Sequence, residues 1–293
     1  MHTLDSLHPA TAFFYFLSVL LFSVFSPHPV FGALALLGGI SFCAALPGFR
    51  PTTREILTDL LLFAAVALTN PLFVHNGITP LFFLNGNAVT KEAVLSGLHL
   101  AILLLSAVFW FRILSKIMTA EKWLFLFGKL SPKIALLLSC SLRFVPLLRQ
   151  KAREIRTAQM TMGFSDGTRL RERLSASLRV YSALITWSLE NAVDTGISMK
   201  ARGYGLKGRT AFSFFSFSPA DFWLLLFLSV SDLLFLIAAA CGRLRFSFYP
   251  KILSGQKDFL FFAAVIGFGI LVFWPILTEG KEKIQWHFYR SKI

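Results

Sequence analysis

Long apolar runs separated by short polar turns occupy the first 114 residues, and the pattern returns after residue 220. A run of about 17 to 25 apolar residues is long enough to cross the roughly 30 Å hydrocarbon layer of a membrane. The pattern therefore predicts six spans, of which the first and third are short: 11–25, 30–46, 56–69, 93–114, 221–241 and 258–277.

Residues 115–210 interrupt this pattern and instead show the periodicity of amphipathic helices. Residues 132–162 predict a helix with a break or kink near Pro146, because proline removes a backbone donor and clashes with the preceding turn. A second helix of roughly 30 residues is predicted at 171–202, since its apolar positions advance by three or four. That apolar stripe consists of Leu174, Leu178, Tyr181, Ile185, Leu189, Ala192, Gly196 and Met199.

Charge is concentrated in the same middle region. From Arg112 to Arg209 there are eighteen Lys or Arg residues against six Asp or Glu, a net +12 of the chain's total of +14. Cytoplasmic loops of membrane proteins carry an excess of basic residues, so this region is predicted to be cytosolic, with both chain termini on the same side. One predicted external loop disagrees with that rule, because it contains Arg243, Arg245, Lys251 and Lys257.

The predicted fold is an all-α integral membrane protein with about six transmembrane helices. Long amphipathic cytosolic helices are inserted between the fourth and fifth spans. The organisation is an N-terminal membrane part at 1–114, a cytosolic helical domain at 115–210, and a C-terminal membrane part with a basic tail at 211–293. The first apolar run follows no basic segment and no small-residue cleavage site, so it is predicted to be a retained span.

The end of the second long helix is the most informative local motif. Glycines directly after a helix terminus let the chain reverse, and Gly203 and Gly205 flank Tyr204 here. This arrangement predicts that Arg202 projects from an exposed tip. An arginine there either complements the negative end of the helix dipole or binds an acidic groove on a soluble partner through its five-donor fork.

With these motifs the sequence resembles the transmembrane T component of energy-coupling factor (ECF) transporters, the CbiQ-like family. The resemblance runs nearly end to end, and the order and spacing of the motifs make it specific. The motifs that carry it are Leu7-His8-Pro9, Asn70-Pro71-Leu72-Phe73, Gly77-Ile78-Thr79-Pro80-Leu81-Phe82, Leu142-Arg143-Phe144-Val145-Pro146, Ala158-Gln159 and Met199-Lys200-Ala201-Arg202-Gly203-Tyr204-Gly205.

The resemblance implies that crossed coupling helices end in two tips, each with an arginine between small residues that docks in one ATPase. Ala201-Arg202-Gly203 matches the second tip. At the first tip this sequence departs from the pattern, since Met162 stands where the arginine is often found. An apolar contact there is expected, in a segment that also includes Ala158, Gln159 and Gly163.

The implied function is the energy-coupling subunit of an ECF-type ATP-binding cassette (ABC) importer in the bacterial cell membrane, which brings in a vitamin or other micronutrient. Its expected partners are two ABC ATPase subunits, as a heterodimeric pair, a substrate-binding S component and lipid, with no nucleic acid. The stripe from Leu174 to Met199 is expected to face the S component. No cofactor and no catalytic residue of its own are expected. Because no Walker-type glycine loop is present, ATP is expected to be hydrolysed by the partner subunits.

Other classes remain as alternatives. A conventional ABC importer permease would show a Glu-Ala-Ala loop, which has no match here. A secondary transporter needs ionisable groups near mid-membrane, and the candidates are Asp59 and Asp232. A membrane enzyme would need clustered ligands or an acid–base pair. Glu190 and Asp194 share a helix face, but arginines such as Arg179 are their expected partners. Three dispersed cysteines argue against a metal cluster.

Overall fold

The computed structural model describes residues 7–45, 52–74, 77–84, 87–163, 170–206, 215–256 and 258–290. Within these ranges the helices are α1 Pro9–Phe25, α2 Pro29–Ala45, α3 Thr53–Phe73, α4 Lys91–Ile117, α5 Ala120–Leu130, α6 Pro132–Thr161, α7 Leu170–Ala201, α8 Pro219–Ala240 and α9 Phe259–Arg290. The strands are β1 Pro80–Leu84, β2 Asn87–Thr90, β3 Phe246–Ser247 and β4 Leu253–Ser254.

The chain forms two compact units. The first, here called the membrane unit, contains Met1–Lys122 and Phe215–Ile293, and the second, here called the helical insert, contains Trp123–Phe214. The predicted all-α membrane fold is confirmed. Whether the predicted boundaries at 114 and 210 mark the membrane parts of the chain stays a prediction.

The six predicted spans correspond to α1, α2, α3, α4, α8 and α9. Among the described helices, four have the length and composition needed to cross a membrane, and these are α3, α4, α8 and the part of α9 up to Lys281. The helices α1 and α2 are apolar but only 17 residues long. Each predicted span therefore corresponds to an apolar helix, and four of these helices are long enough to cross a membrane.

An aromatic core holds the membrane unit together. Tyr15, Phe16 and Trp110 are almost fully buried, and their rings lie within about 6 Å of one another in edge-on arrangements. Tyr15 donates a hydrogen bond from its hydroxyl to the Leu271 carbonyl at 3.0 Å. Trp110 donates from its indole nitrogen to the Ala35 carbonyl at 2.9 Å. Buried aromatic polar atoms thus find partners, and these bonds tie α1 to α9 and α4 to α2.

Glycines permit close helix approach inside this unit. A Cβ placed on Gly38 of α2 would stand 1.9 Å from Cγ1 of Val272 on α9. A Cβ on Gly97 of α4 would stand 2.6 Å from the Ala67 carbonyl oxygen on α3. Small residues at helix contacts are the usual means of close packing within membranes.

A paired charge joins α3 to α4. Both guanidinium Nη atoms of Arg112 donate to the two Asp59 carboxylate oxygens at 2.6 Å. The side chains are 25% and 12% exposed. Asp232, the other acidic residue considered for proton or ion coupling, accepts a hydrogen bond from Ser18 of α1 at 2.8 Å. Asp59 therefore has a structural partner, and Asp232 links α8 to α1.

Two short hairpins and one helix were not anticipated in detail. The loop at 70–90, predicted to be structured, contains the antiparallel pair β1–β2. The loop between α8 and α9 contains the pair β3–β4, and α5 follows α4 directly. Helix α6 continues through Pro146 to Thr161, so of the predicted break or kink at Pro146 a break is not observed. The helix predicted at 171–202 is observed as α7.

Candidate functional site

The helical insert contains the two longest amphipathic helices, α6 and α7, and they meet near their middles. The rings of Phe144 on α6 and Trp187 on α7 stack with centroids 6.1 Å apart and an interplanar angle of 24°. Two turns further along α6, the Lys151 ammonium lies 5.7 Å from the centre of the same indole ring. Trp187 is therefore sandwiched against α6 by a stacking contact and a cation–π contact.

The chain connection sets where the ends of this pair lie. Helix α6 ends at Thr161 and α7 begins at Leu170, so only a few residues join them. Helix α7 has 32 residues and is about 48 Å long at 1.5 Å per residue. The end of α6 therefore lies toward the start of α7, and Arg202 lies beyond the far end.

Helix α7 presents two different faces. One face is the more buried, and it carries Ala176, Val180, Leu184 and Trp187. The predicted stripe lies on the other face, where Leu174, Leu178 and Leu189 are 58%, 65% and 64% exposed.

The remaining stripe positions behave similarly, with one exception. Tyr181, Ile185, Ala192 and Gly196 are exposed, and a Cβ added at Gly196 would meet no atom within 4 Å. Met199 is half-buried. Because the stripe is not the surface that packs on α6, a large apolar face of α7 has no partner within the helical insert as described.

The tip of α7 is a Schellman motif. The Gly203 amide donates to the Lys200 carbonyl at 3.0 Å, and the Tyr204 amide donates to the Met199 carbonyl at 3.0 Å. These are the 5→2 and 6→1 bonds of that motif, whose reversing residue needs a positive φ. Gly203 has φ +80° and Gly205 has φ +98°. The glycines fix a sharp reversal that leaves Ala201 and Arg202 exposed.

The tip of α6 ends in a related way. The Met162 amide donates to the Ala158 carbonyl at 3.1 Å, and the Gly163 amide donates to the Met160 carbonyl at 3.1 Å. Gly163 has φ +86°, and among the described residues no atom lies within 4 Å of the position where a Cβ would be. Met162 is 72% exposed, so Met162 and Arg202 occupy equivalent positions, each directly before a left-handed glycine.

The other predicted residues of the first tip are less prominent. Gln159 is half-buried, and Ala158 is exposed but contributes mainly its carbonyl, which also accepts from the Thr161 hydroxyl at 2.8 Å. The structure thus brings together Ala158, Met162 and Gly163 at one tip and Ala201, Arg202 and Gly203 at the other.

The charges along these helices are mostly on exposed positions. Lys151 donates to Glu154 at 2.9 Å and Gln150 donates to it at 3.2 Å. These hydrogen bonds lower the pKa of the Glu154 carboxyl. Glu190 and Asp194 are exposed, and in the part of the chain that the structure describes neither forms an ion pair. The ion pairs expected with arginines such as Arg179 or those on α6 are not formed among the described residues; Arg179 donates to Ser175 at 2.9 Å and has a further interaction.

The described residues give little support for a metal site or a disulfide framework. Among them, no group of three His, Cys, Asp or Glu side chains is placed to hold a metal ion. The three cysteines are unpaired thiols, at Cys43, Cys140 and Cys241.

Sequence reasoning missed the contact that joins the two helices. Trp187 and Phe144 lie outside the predicted apolar stripe of α7. A signal was available, because Ala176, Val180, Leu184 and Trp187 also advance by three or four residues. Two overlapping apolar stripes on one helix indicate two packing surfaces, and Trp187 is the largest residue of the second.

Apolar helices around an aromatic core, with an insert of two long amphipathic helices, define an α-helical multi-pass membrane protein. The family model described as CbiQ, cobalt transport protein, matches residues 2–212. The chain belongs to this family.

Several curated relatives agree with that assignment. The energy-coupling factor transporter transmembrane protein EcfT of Listeria innocua is 40% identical over 107 residues, which are 35% of this chain and 40% of that protein. Proteins of the same name from Lactobacillus helveticus and Bacillus subtilis are 39% identical over 92 residues and 36% identical over 83 residues. These matches cover 30% and 27% of this chain, and 33% and 31% of the relatives. The resemblance to ECF T components is confirmed, and the matched segments span less than half of each relative.

Proposed function

We propose that this chain is the energy-coupling transmembrane subunit of an ECF-type ABC importer. The observation that carries the proposal is the pair of exposed helix tips, in which Met162 and Arg202 each precede a left-handed glycine. The names of the curated relatives support the same assignment. ATP is hydrolysed by partner subunits, and the transported solute is a vitamin or another micronutrient bound by a separate S component.

In this proposal each tip docks in one ATPase subunit. Arg202 makes charge-assisted hydrogen bonds to carboxylates or carbonyls in one groove, because its guanidinium offers five donors in a fixed plane. Met162 makes an apolar contact in the other groove, which suits a flexible thioether side chain. Two unlike tips fit a heterodimeric ATPase pair with unlike grooves.

The exposed apolar stripe of α7 is the proposed contact for the S component. Its aliphatic side chains, such as Leu174 and Leu189, stay largely exposed although α7 has already packed its other face on α6. Exposed apolar surface of this extent typically marks an interaction site. Ala192 and Gly196 have small or no side chains at one end of the stripe, which favours close approach of a partner helix.

The proposed mechanism uses α6 and α7 as rigid levers. ATP-driven closure of the two ATPases changes the distance between the tips, and a helix pair locked at Trp187 transmits this change along its length. The stripe then moves the S component so that its pocket opens to the cytosol. In this arrangement the helical insert and both chain termini are cytosolic.

Reversing the charge at the arginine tip tests the proposal. Arg202→Glu should reduce co-purification of the ATPase subunits by at least about tenfold, because breaking a buried charge-assisted contact costs about 2–5 kcal/mol. Uptake of the solute by cells should be lost while membrane insertion is unchanged. A matched control is Arg153→Glu, which reverses an exposed charge on α6 away from either tip.

Normal uptake by the Arg202→Glu variant would refute the assignment. Solute uptake by liposomes that contain only this chain would favour the secondary transporter, and direct solute binding to this chain within an ATPase complex would favour a conventional permease.

A further inference from the structure

The β3–β4 hairpin lies at one end of the membrane unit, opposite the point where the helical insert joins it. Helix α4 leads into the insert at its C-terminal end and α8 leaves it at its N-terminal end, whereas the hairpin connects the other end of α8 to α9. His28, in the turn between α1 and α2, lies 5.2 Å from the ring of Phe246 on β3. The hairpin and the α1–α2 turn therefore share one membrane face.

Contacts from several elements hold this hairpin in a defined position. The Tyr249 hydroxyl lies 2.7 Å from the Ser96 hydroxyl on α4. The ring of Phe248 lies 5.3 Å from His99 on the same helix. A Cβ on Gly255 would meet the backbone oxygens of Arg243 and Arg245 at 3.0 and 3.1 Å. The hairpin is thus a built feature of the membrane unit.

Positive charge accumulates on this face, contrary to the usual asymmetry of membrane proteins. The loops at residues 26–29, 74–92 and 241–258 contain five Lys or Arg residues and two carboxylates. Arg243 is paired with Asp258 at 2.6 Å. Arg245 and Lys251 are exposed, and within the described chain neither forms an ion pair. Two uncompensated cations therefore remain on the hairpin.

An open cleft of about 430 Å³ adjoins one of these cations. Its polar groups are Arg245, Ser247 and Ser254, and its apolar walls are Pro27, Phe246 and Leu253. Leu253 is 61% exposed. A cation and the Ser254 hydroxyl beside an apolar wall match a phosphodiester that continues into hydrocarbon.

We propose that this cleft binds the headgroup of an anionic phospholipid in the leaflet at the hairpin end of the membrane unit. Arg245 contacts the phosphate, and Lys251, in the turn of the hairpin, adds positive potential. The Ser254 hydroxyl donates to a phosphate oxygen, whereas the Ser247 hydroxyl donates to the Tyr249 carbonyl at 2.6 Å. The part of the acyl chain nearest the headgroup lies along Pro27 and Leu253. The lipid neutralises the basic residues that the positive-inside tendency leaves unexplained on this face.

Native mass spectrometry of the full-length chain in detergent tests the site with two probes, phosphatidylglycerol and phosphatidylcholine. Wild-type protein should bind phosphatidylglycerol more tightly than phosphatidylcholine. A basic residue near an anionic lipid surface contributes about 1 kcal/mol, so Arg245→Gln and Lys251→Gln should each weaken phosphatidylglycerol binding about fivefold, and the double variant about 25-fold.

The control removes two exposed cations from the opposite membrane face, in Arg54→Gln with Lys281→Gln, and should leave the preference unchanged. Equal loss in control and test variants, or unchanged binding by the Arg245/Lys251 double variant, would overturn the proposal. The melting temperature of the double variant in zwitterionic detergent should match wild type, since the two side chains have no ion pair to lose.

Two further measurements distinguish a lipid from a soluble phosphate. Leu253→Ser removes an apolar wall without changing charge and should weaken phosphatidylglycerol binding. Glycerol 3-phosphate at the same concentration should not compete with the lipid, because it lacks the acyl chains. Full competition by glycerol 3-phosphate, or no effect of Leu253→Ser, would show that the cleft binds a free anion and would contradict the lipid assignment.

Discussion

The membrane unit and the helical insert bury their large side chains to very different extents. In the membrane unit, Tyr15, Phe42 and Trp110 are fully buried and belong to one continuous hydrophobic cluster. In α7 of the insert, the one buried residue is Ala176, a small side chain that is 4% exposed. Both regions are rich in apolar residues, but only the first uses them to build a core of its own.

The difference indicates where each region gains its stability. The membrane unit is held by internal packing, by buried hydrogen bonds and by the Asp59–Arg112 pair. In the helical insert, α6 and α7 contact each other at Trp187, and the second apolar face of α7 has no partner among the described residues of the insert. A region built this way keeps apolar surface for a partner, which agrees with the proposed coupling role.

The largest expected effect uses one substitution in both regions. Gly38→Ala should destabilise the membrane unit by about 3 kcal/mol, because the new methyl group collides with Val272, whose β-branched side chain has few rotamers in a helix. Gly196→Ala on α7 should instead stabilise its helix by about 0.5–1 kcal/mol, since nothing surrounds that position. Thermal unfolding of the purified variants measures both.

Adding Val272→Ala to Gly38→Ala should restore part of the lost stability. Equal effects of the two glycine substitutions would mean that the packing contrast between the regions is wrong.

A somewhat smaller effect is expected from the charged pairs. Asp59→Asn or Arg112→Gln alone should cost about 2–3 kcal/mol, somewhat below the 3–5 kcal/mol of a fully buried pair because both side chains are partly exposed. The double substitution should cost less than either single one. Chemical unfolding in mixed micelles measures the three variants.

The exposed counterpart in the insert is Glu154→Gln, which breaks the contact with Lys151 and should leave the unfolding midpoint unchanged. Additive losses for the Asp59 and Arg112 substitutions would indicate that the two residues do not act as a pair.

The smallest expected effect concerns the crossing of α6 and α7. Trp187→Ala removes the stacking on Phe144 and the contact with Lys151, and should cost about 1–2 kcal/mol, local to the insert. Amide hydrogen exchange should speed up along α6 and α7 and stay unchanged in α1, α2 and α4. Trp187→Phe should restore most of the protection. Faster exchange throughout the membrane unit would contradict the independence of the two regions.

The spans and the long helices could be predicted closely from the sequence. Apolar runs located α1 to α4, α8 and α9, and a three-to-four periodicity located α7 to within a residue or two. These are local signals, since hydrogen bonding within a helix and transfer into lipid depend on the residues of one segment. The hairpin β3–β4 and the continuity of α6 through Pro146 were not predictable in this way, because neighbouring elements support both.

The ends of α6 and α7 could also be predicted from the local sequence, since a glycine such as Gly163 or Gly203 is typical of the left-handed residue that follows a helix. That Met162 and Arg202 occupy equivalent positions became evident only from the backbone hydrogen bonds at the C-terminal ends of α6 and α7. The partners of Glu190 and Asp194 were not predictable in this way, because an exposed charge on a helix selects among several neighbours that are close in energy.

By itself the sequence determined which segments enter the membrane, where the basic insert lies, and that Arg202 stands at a glycine-bounded helix end. The tertiary structure alone decided which face of α7 packs on α6, how Asp59 and Arg112 meet, and that Arg245 lines a cleft beside Pro27. The physical reason is that periodicity fixes how a helix divides into faces, whereas the choice of face depends on the shape and charge of segments distant in the chain.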